Sequence, residues 1–278
     1  MNVLYCGDGN IERGLIISVM SLLKNIKDEL HVWVLTAEMD FQGKHISPVK
    51  DDVISALGQY MNSYNSSNSI TLIDVSELFK KEVPTVNMGT RFTPFCMLRL
   101  FSDEVSEIPD KIMYLDNDVV CRRDPSEFYN QDMTDYEVAG VLDYYGGWFF
   151  RKNPLKRDYV NSGVLLMNMA KIRETGLFKK CRKRCCEKEM FMPDQSAINK
   201  LAVSKKICPR RFNEQRKLKP DTVMQHFTTS FRFFPYIRTV TVKPWDIEKI
   251  HEILKLNEYD DLLSEFTVFY GSIKNNRQ

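Results

Sequence analysis

The sequence predicts an α/β protein whose first half is a Rossmann-like unit built on a parallel sheet. Short apolar runs alternate with segments of helical period, strand then helix then strand. The composition, 43% hydrophobic and 27% charged, is that of an ordinary globular chain and excludes disordered, collagenous and coiled-coil classes. One apolar run, Ile112–Leu115, opens into Asp116-Asn117-Asp118, at the strand end where open α/β sheets hold their ligands. At about 150 residues per domain, the length allows one large domain or two small ones.

Each element follows from its local pattern. Asn2–Cys6 reads as a buried strand ending in the turn Gly7-Asp8-Gly9-Asn10. Ile11–Lys24 then puts Ile16, Met20 and Leu23 on one helical face. Leu30–Thr36 and Ile70–Val75 are the next strands, with a helix at Pro48–Tyr60 and a polar loop at Asn62–Ser69 between them. A helix around Phe92–Phe101 precedes a fourth strand, Lys111–Leu115. In the less regular second half, Glu137–Leu142 and Val160–Met169 are strands, followed by a charged helix, Lys171–Lys188. Pro193 suits the first turn of a helix at Asp194–Leu201. Thr222–Phe227 is a short strand ending at His226, and Asp246–Ile273 is amphipathic and helical. With no linker-like tract between the halves, the simplest organisation is one continuous domain, 1–245, with a helical extension, 246–278.

The chemistry concentrates at Asp116-Asn117-Asp118. Carboxylates leaving the end of an apolar strand can face one hard cation, and Mg²⁺ or Mn²⁺ held by oxygen ligands commonly bridges to diphosphate. Turn or cap residues are the plain alternative. Haloacid-dehalogenase-type phosphatases share the pattern, but on the first strand and with a later Gly-Asp-x-x-x-Asp that is missing here; a mid-chain pair suits a nucleotide-sugar transferase. In the first turn Glu12 stands where a dinucleotide fingerprint needs its third glycine, so Asp8 and Asn10 are read instead as partners for a nucleobase edge. His226 is a candidate third metal ligand, and Lys243-Pro244-Trp245 offers an ammonium for a phosphate.

Taken in order, Tyr5-Cys6-Gly7-Asp8-Gly9-Asn10, Tyr114-Leu115-Asp116-Asn117-Asp118, Asn161-Ser162-Gly163-Val164-Leu165-Leu166-Met167-Asn168, Pro193-Asp194-Gln195, His226-Phe227 and Lys243-Pro244-Trp245 resemble glycosyltransferase family 8. That family includes bacterial lipopolysaccharide galactosyl- and glucosyltransferases and the glycogenins. The resemblance implies a GT-A fold with a mixed central sheet, a UDP-glucose or UDP-galactose donor, Mn²⁺ or Mg²⁺, a glycan or glycoconjugate acceptor, and retention of anomeric configuration. It implies that Asp8 and Asn10 hold the uracil and ribose, with Asn117 on the donor side. Asp116, Asp118 and His226 bind the metal, and Lys243 binds the diphosphate. Arg99, Asn161 and Asp194 surround the donor hexose, Gln195 lies beside the anomeric carbon, and Asp143 sits near the sugars. One departure is Thr229, near which the family usually has a glycine; another is the longer insert Ser230–Val242, whose aromatics suit a lid or an acceptor platform.

The remaining features bound the setting. The 39 basic and 37 acidic side chains leave a net charge of +2, too little for a nucleic-acid binder. Met1–Leu4 leads into a strand-like run with no secretion signal, and the longest apolar stretch, Gly14–Leu23, is about half a bilayer crossing. Seven cysteines with no framework spacing predict free thiols in a reducing cytoplasm. The basic helix carrying Cys181, Cys185 and Cys186 is read as a solvated face with Cys185 or Cys181 pointing inward. Weak contact with the inner membrane face needs more than its one basic turn, and a zinc site lacks a second Cys/His pair. Besides the transferase, a Mg²⁺-dependent phosphatase and a catalytically inactive UDP-sugar-binding protein remain as alternatives.

Overall fold

The structure, a computed structural model, describes the chain except residues 42, 89–93, 146–157, 233–237, 276 and 278. Its centre is a seven-stranded mixed sheet of β1 (Asn2–Gly7), β2 (His31–Thr36), β5 (Ser69–Asp74), β6 (Lys111–Leu115), β8 (Val138–Leu142), β9 (Val160–Asn168) and β10 (Lys205–Cys208). The spatial order is β10-β8-β9-β6-β1-β2-β5. β6, β1, β2 and β5 run parallel, as the strand–helix repeats predict. β9 is antiparallel to both β6 and β8. Alternation along a strand sends successive residues to opposite faces. Val3 and Tyr5 of β1 join one core and Leu4 the other; Met113 and Leu115 of β6 join the first, Ile112 and Tyr114 the second.

Helices cover both faces, which is why central strands read as continuous apolar runs. On one face lie α1 (Glu12–Leu23), α2 (Asp51–Tyr64) and the C-terminal helix, whose Leu262, Leu263, Phe266 and Ile273 enter the same core as Leu15 and Val53. On the other lie α3 (Ser76–Lys81), the 3₁₀ segment Pro94–Phe101 and three helices of the second half. Smaller pairs flank the sheet: β3 (Met39–Phe41) with β4 (Lys44–Ile46), β7 (Val119–Cys121) with β11 (Met224–His226), and β12 (Ser230–Arg232) with β13 (Arg238–Val240).

Four expectations need correction. The helix expected around Phe92–Phe101 is a 3₁₀ helix from Pro94 onward, and positions 92–93 lie outside the described residues. The charged helix expected over Lys171–Lys188 is two, Met169–Thr175 and Leu177–Glu187, because Gly176 takes a left-handed φ of 65° that ends the first. The polar loop expected from Asn62 begins only after Tyr64. The tail is not one helix: a π-turn at Ile250–Leu254 stops at Lys255, φ 54°, and the long helix spans Asp260–Asn275.

The Leu177–Glu187 helix is also less solvated than its charge suggests. Cys181 and Cys185 are buried, and so is Arg182, at 2% exposure. Its guanidinium pairs with Glu82, Asp103 and Glu104 and donates to the Leu100 carbonyl, tying this helix to the end of the 3₁₀ segment. All seven cysteines are free. No helix among the described residues is long and apolar enough to cross a membrane.

Two outcomes are expected. Dithiothreitol leaves the melting temperature unchanged, whereas a drop of several degrees would reveal a bridge. Arg182→Met strands three carboxylates and lowers stability by about 3 kcal/mol, read from the urea midpoint at constant m-value.

Candidate active site

Asp116 and Asp118 leave β6 at its carboxyl end, in a turn closed by Val119 N–H donating to the Asp116 carbonyl at 3.1 Å. The chain then enters β7, and β11 pairs with it so that His226 stands opposite Val119. This pairing brings the imidazole to the carboxylates: His226 Nε2 is 3.1 Å from Asp118 Oδ1 and 3.6 Å from Asp116 Oδ2. Ligand atoms of the three residues all lie within 4.8 Å of one another, a two-oxygen, one-nitrogen set suited to a divalent cation. Asp118 and His226 are buried, while the Asp116 side chain keeps 29% exposure and gives the cluster an open side.

Electrostatics here are set by burial against pairing. Burial alone would raise the Asp118 carboxyl; the Lys243 ammonium, which donates to Oδ2, and His226 overcome it and hold the group well below the usual carboxylate range. Burial works to lower Lys243, but Asp118 prevails and its ammonium is held above its ordinary value. Burial pushes the Asp194 carboxyl up, with Arg99 opposing.

Arg99 organises the other side. In a 3₁₀ segment residues three apart eclipse, so Cys96 and Arg99 present the same way, and both reach Asp194: Cys96 Sγ at 3.7 Å and Arg99 Nε at 3.1 Å. Arg99 Nη2 bonds Asp116 Oδ1 at 3.0 Å and Nη1 bonds the Ser162 carbonyl at 2.6 Å. Its guanidinium lies over the Tyr114 ring, 3.9 Å from the centroid, and the Tyr114 hydroxyl donates to Asp116 Oδ1 at 2.7 Å.

The polar group beyond comes from β9 and the helix Pro193–Leu201. Because β9 runs backwards, its first residues, Asn161-Ser162-Gly163, meet the carboxyl end of β6, where Asp116 N–H donates to the Gly163 carbonyl at 2.8 Å. Asn161 Nδ2 donates to Asp143 at 2.9 Å, and Gln195 Nε2 is 3.4 Å from the same oxygen. Gln195 Oε1 accepts from Ser162 N–H at 2.9 Å. Asp116, Asp118, His226, Lys243, Arg99, Asp194, Asn161, Gln195 and Asp143 thus form one connected network.

Three predicted residues stand outside it. Asp8 caps the turn Gly9–Ile11 and accepts from the Asn10 backbone and side chain at 2.9 and 3.1 Å; it is buried, and Asn10 is exposed. Both follow β1, the parallel neighbour of β6. Asn117 backs onto α1, where a methyl group on Gly14 would come within 2.3 Å of its carbonyl oxygen. The insert Ser230–Val242 contains the hairpin β12–β13, but its aromatic positions 233, 234 and 236 lie outside the described residues.

Sequence reasoning missed several members. Asn213 has no motif, yet it is fully buried, donates to Asn161 Oδ1 at 3.0 Å and lies 3.3 Å from His226 Nδ1. Tyr114 reads as plain core. Gly163 carried a signal, since a glycine inside a buried strand marks close approach. A Cβ there would lie 2.1 Å from His226 Cε1 and 2.6 Å from Asp116 Oδ2.

The sequence profile of glycosyl transferase family 8 matches residues 2–249. The chain is 24% identical over 296 residues to the lipopolysaccharide 1,2-glucosyltransferase of Escherichia coli, covering 94% of this chain and 84% of that one. It is 25% identical over 260 residues to the lipopolysaccharide 1,3-galactosyltransferase of Salmonella typhimurium, covering 88% and 72%. Among solved structures it resembles the galactosyltransferase LgtC in complex with donor and acceptor sugar analogues, with a TM-score of 0.65, 18% identity and coverage of 98% and 96%. The fold is therefore GT-A, as the sequence predicts.

Gly163→Ala is expected to displace His226 from the carboxylates. The variant should keep its far-UV circular dichroism but need about tenfold more Mn²⁺ for the same thermal stabilisation. An unchanged Mn²⁺ response would mean that the imidazole does not depend on this clearance.

Proposed function

Since the chain belongs to glycosyltransferase family 8, we propose that it moves a hexose, glucose or galactose, from a UDP-sugar to a glycan or glycoconjugate acceptor with retention of anomeric configuration. The observation that carries this reading is the convergence of Asp116, Asp118 and His226 within 4.8 Å, with Lys243 on Asp118. The donor set fits Mn²⁺, or Mg²⁺, and these three residues would hold it. When bound, the cation supplies positive charge against the departing diphosphate. The names of the Escherichia coli and Salmonella relatives support a hexose donor and a lipid-linked glycan acceptor. The catalytic unit is residues 1–245, with 246–278 as its helical extension, acting in the cytoplasm or at the inner membrane face.

The chain's own residues divide the work. Asp8 and Asn10 hold the uracil and ribose at the end of β1, with Asn117 on the donor side. Lys243 exchanges Asp118 for diphosphate oxygens, so its charge meets the anion where it develops. Arg99 keeps Asp116 and Asp194 in place, and Asn161, Asp194 and Asp143 hold hexose hydroxyls. Gln195 offers a carbonyl oxygen to an oxocarbenium-like anomeric carbon. Its neutral amide is a poor nucleophile, which favours attack by the acceptor on the face the phosphate leaves, with that phosphate taking the proton.

The phosphatase alternative requires Asp116 as an unencumbered nucleophile. Instead its Oδ1 already accepts from Arg99 and Tyr114, a pattern that suits a ligand held in place.

Asp118→Ala is expected to weaken UDP binding in Mn²⁺ and turnover together, because a ligand acts on ground and transition states alike. Gln195→Ala should cost about 10²–10³ in turnover with UDP affinity nearly intact. Kinetics and calorimetry on both, with the product anomer assigned by NMR coupling, check the scheme. An inverted product, or UDP affinity indifferent to EDTA, overturns it; UDP binding without UDP release from any UDP-hexose would leave a binding protein.

A further inference from the structure

The hydrogen-bonded network has two ends. Lys243 and Asp118 lie at one, and the chain of contacts runs through His226, Asn213 and Asn161 to Asp143 at the other. With the diphosphate at Lys243 and the hexose over Asn161 and Gln195, an acceptor comes in beyond Asp143. The next residue, Tyr144, is 42% exposed and is flanked by two arginines. Arg216 lies over its ring, 4.4 Å from the centroid, and donates to its hydroxyl; Arg210 is 5.9 Å from the same centroid. Gln215 locks this arrangement to the site, accepting from Tyr144 N–H at 2.8 Å and donating to the Leu142 carbonyl at 3.3 Å.

Neither arginine has a carboxylate partner among the described residues. Asp143 and Glu214 are the acidic groups near Arg210. Asp143 is turned inward, accepting from Asn161, Gln195 and Tyr145 N–H. Glu214 accepts from Arg216 N–H at 3.1 Å through Oε1, while its Oε2 lies 3.5 Å from the Lys219 ammonium, has no hydrogen-bond partner among the described residues and makes no ion pair with Arg210. Arg210 Nη1 is buried with no hydrogen-bond partner among the described residues. A buried guanidinium nitrogen without an acceptor is rare and costly, and an anion is the group that completes it.

We propose that Tyr144, Arg210 and Arg216 form an acceptor subsite for an anionic glycan, one carrying a phosphate or a carboxylate on the sugar next to the attacking hydroxyl. The tyrosine ring gives the pyranose a face to pack on, and the arginines bind the charge. This rests on the transferase reading above.

The test is calorimetric titration of glucose 6-phosphate, glucuronic acid and glucose into protein saturated with UDP and Mn²⁺. At least one anionic sugar should bind about tenfold more tightly than glucose, the worth of one charge-assisted hydrogen bond, and the two anions separate phosphate from carboxylate recognition. Arg216→Gln should bring the charged and neutral sugars level, with Arg216→Lys between. Lys183→Gln, on the distant Leu177–Glu187 helix, should keep the preference. Equal binding of all three sugars, binding of none, or a preference surviving in both Arg216→Gln and Arg210→Gln overturns the subsite. Saturation with UDP, measured first, reports separately on the proposed function.

Discussion

Arg99 is 3% exposed, and its nitrogens go to Asp116, Asp194 and the Ser162 carbonyl. Most of the site depends on that arrangement. Asp116 and Asp194 come from different elements and carry like charges, so without a cation between them they would repel. A buried guanidinium resolves this, but burying it is expensive unless every N–H finds an acceptor. Here Nε also reaches the Cys96 carbonyl and the plane stacks on Tyr114. Its planar fork explains the choice of arginine, because a lysine ammonium could not hold two carboxylates and a carbonyl in one plane.

A second pair of charges is arranged differently. Asp118 is held by Lys243 and His226, both of which come from the last third of the chain. Arg99 belongs to the sheet face packed by α3 and the Leu177–Glu187 helix, whereas His226 comes from β11, paired with β7. The site is thus a seam between layers, crossed both by the Asp-x-Asp turn and by the Asn161–Asn213 contact. Gly163 sits in that seam and makes room by having no side chain.

The Asp-x-Asp turn was legible because a four-residue apolar strand cannot itself hold charge, so carboxylates directly after it must emerge at its carboxyl end. The parallel first half was legible because buried strands and amphipathic helices alternate at short spacing. Strand direction in the second half was not: a period of two is the same read either way, and nothing local in Val160–Asn168 says that it enters from the opposite end. The break at Gly176 was hidden by the even run of charge around it. The burial of Arg182 depends on Glu82, Asp103 and Glu104, which lie 78 to 100 residues away in sequence. Asn213 was invisible for a related reason, since its role comes wholly from two partners, Asn161 and His226, brought in by the fold.

The hydrogen bond between Asp143 and Asn161 spans 18 positions of sequence. Asp143 directly follows β8 and Asn161 lies in β9, and these two strands pair antiparallel. The loop-closure entropy of bringing the two positions together is therefore already met by the strand ladder. The side chains arrive side by side as a by-product of sheet formation, so this polar contact forms only when β8 and β9 are in register.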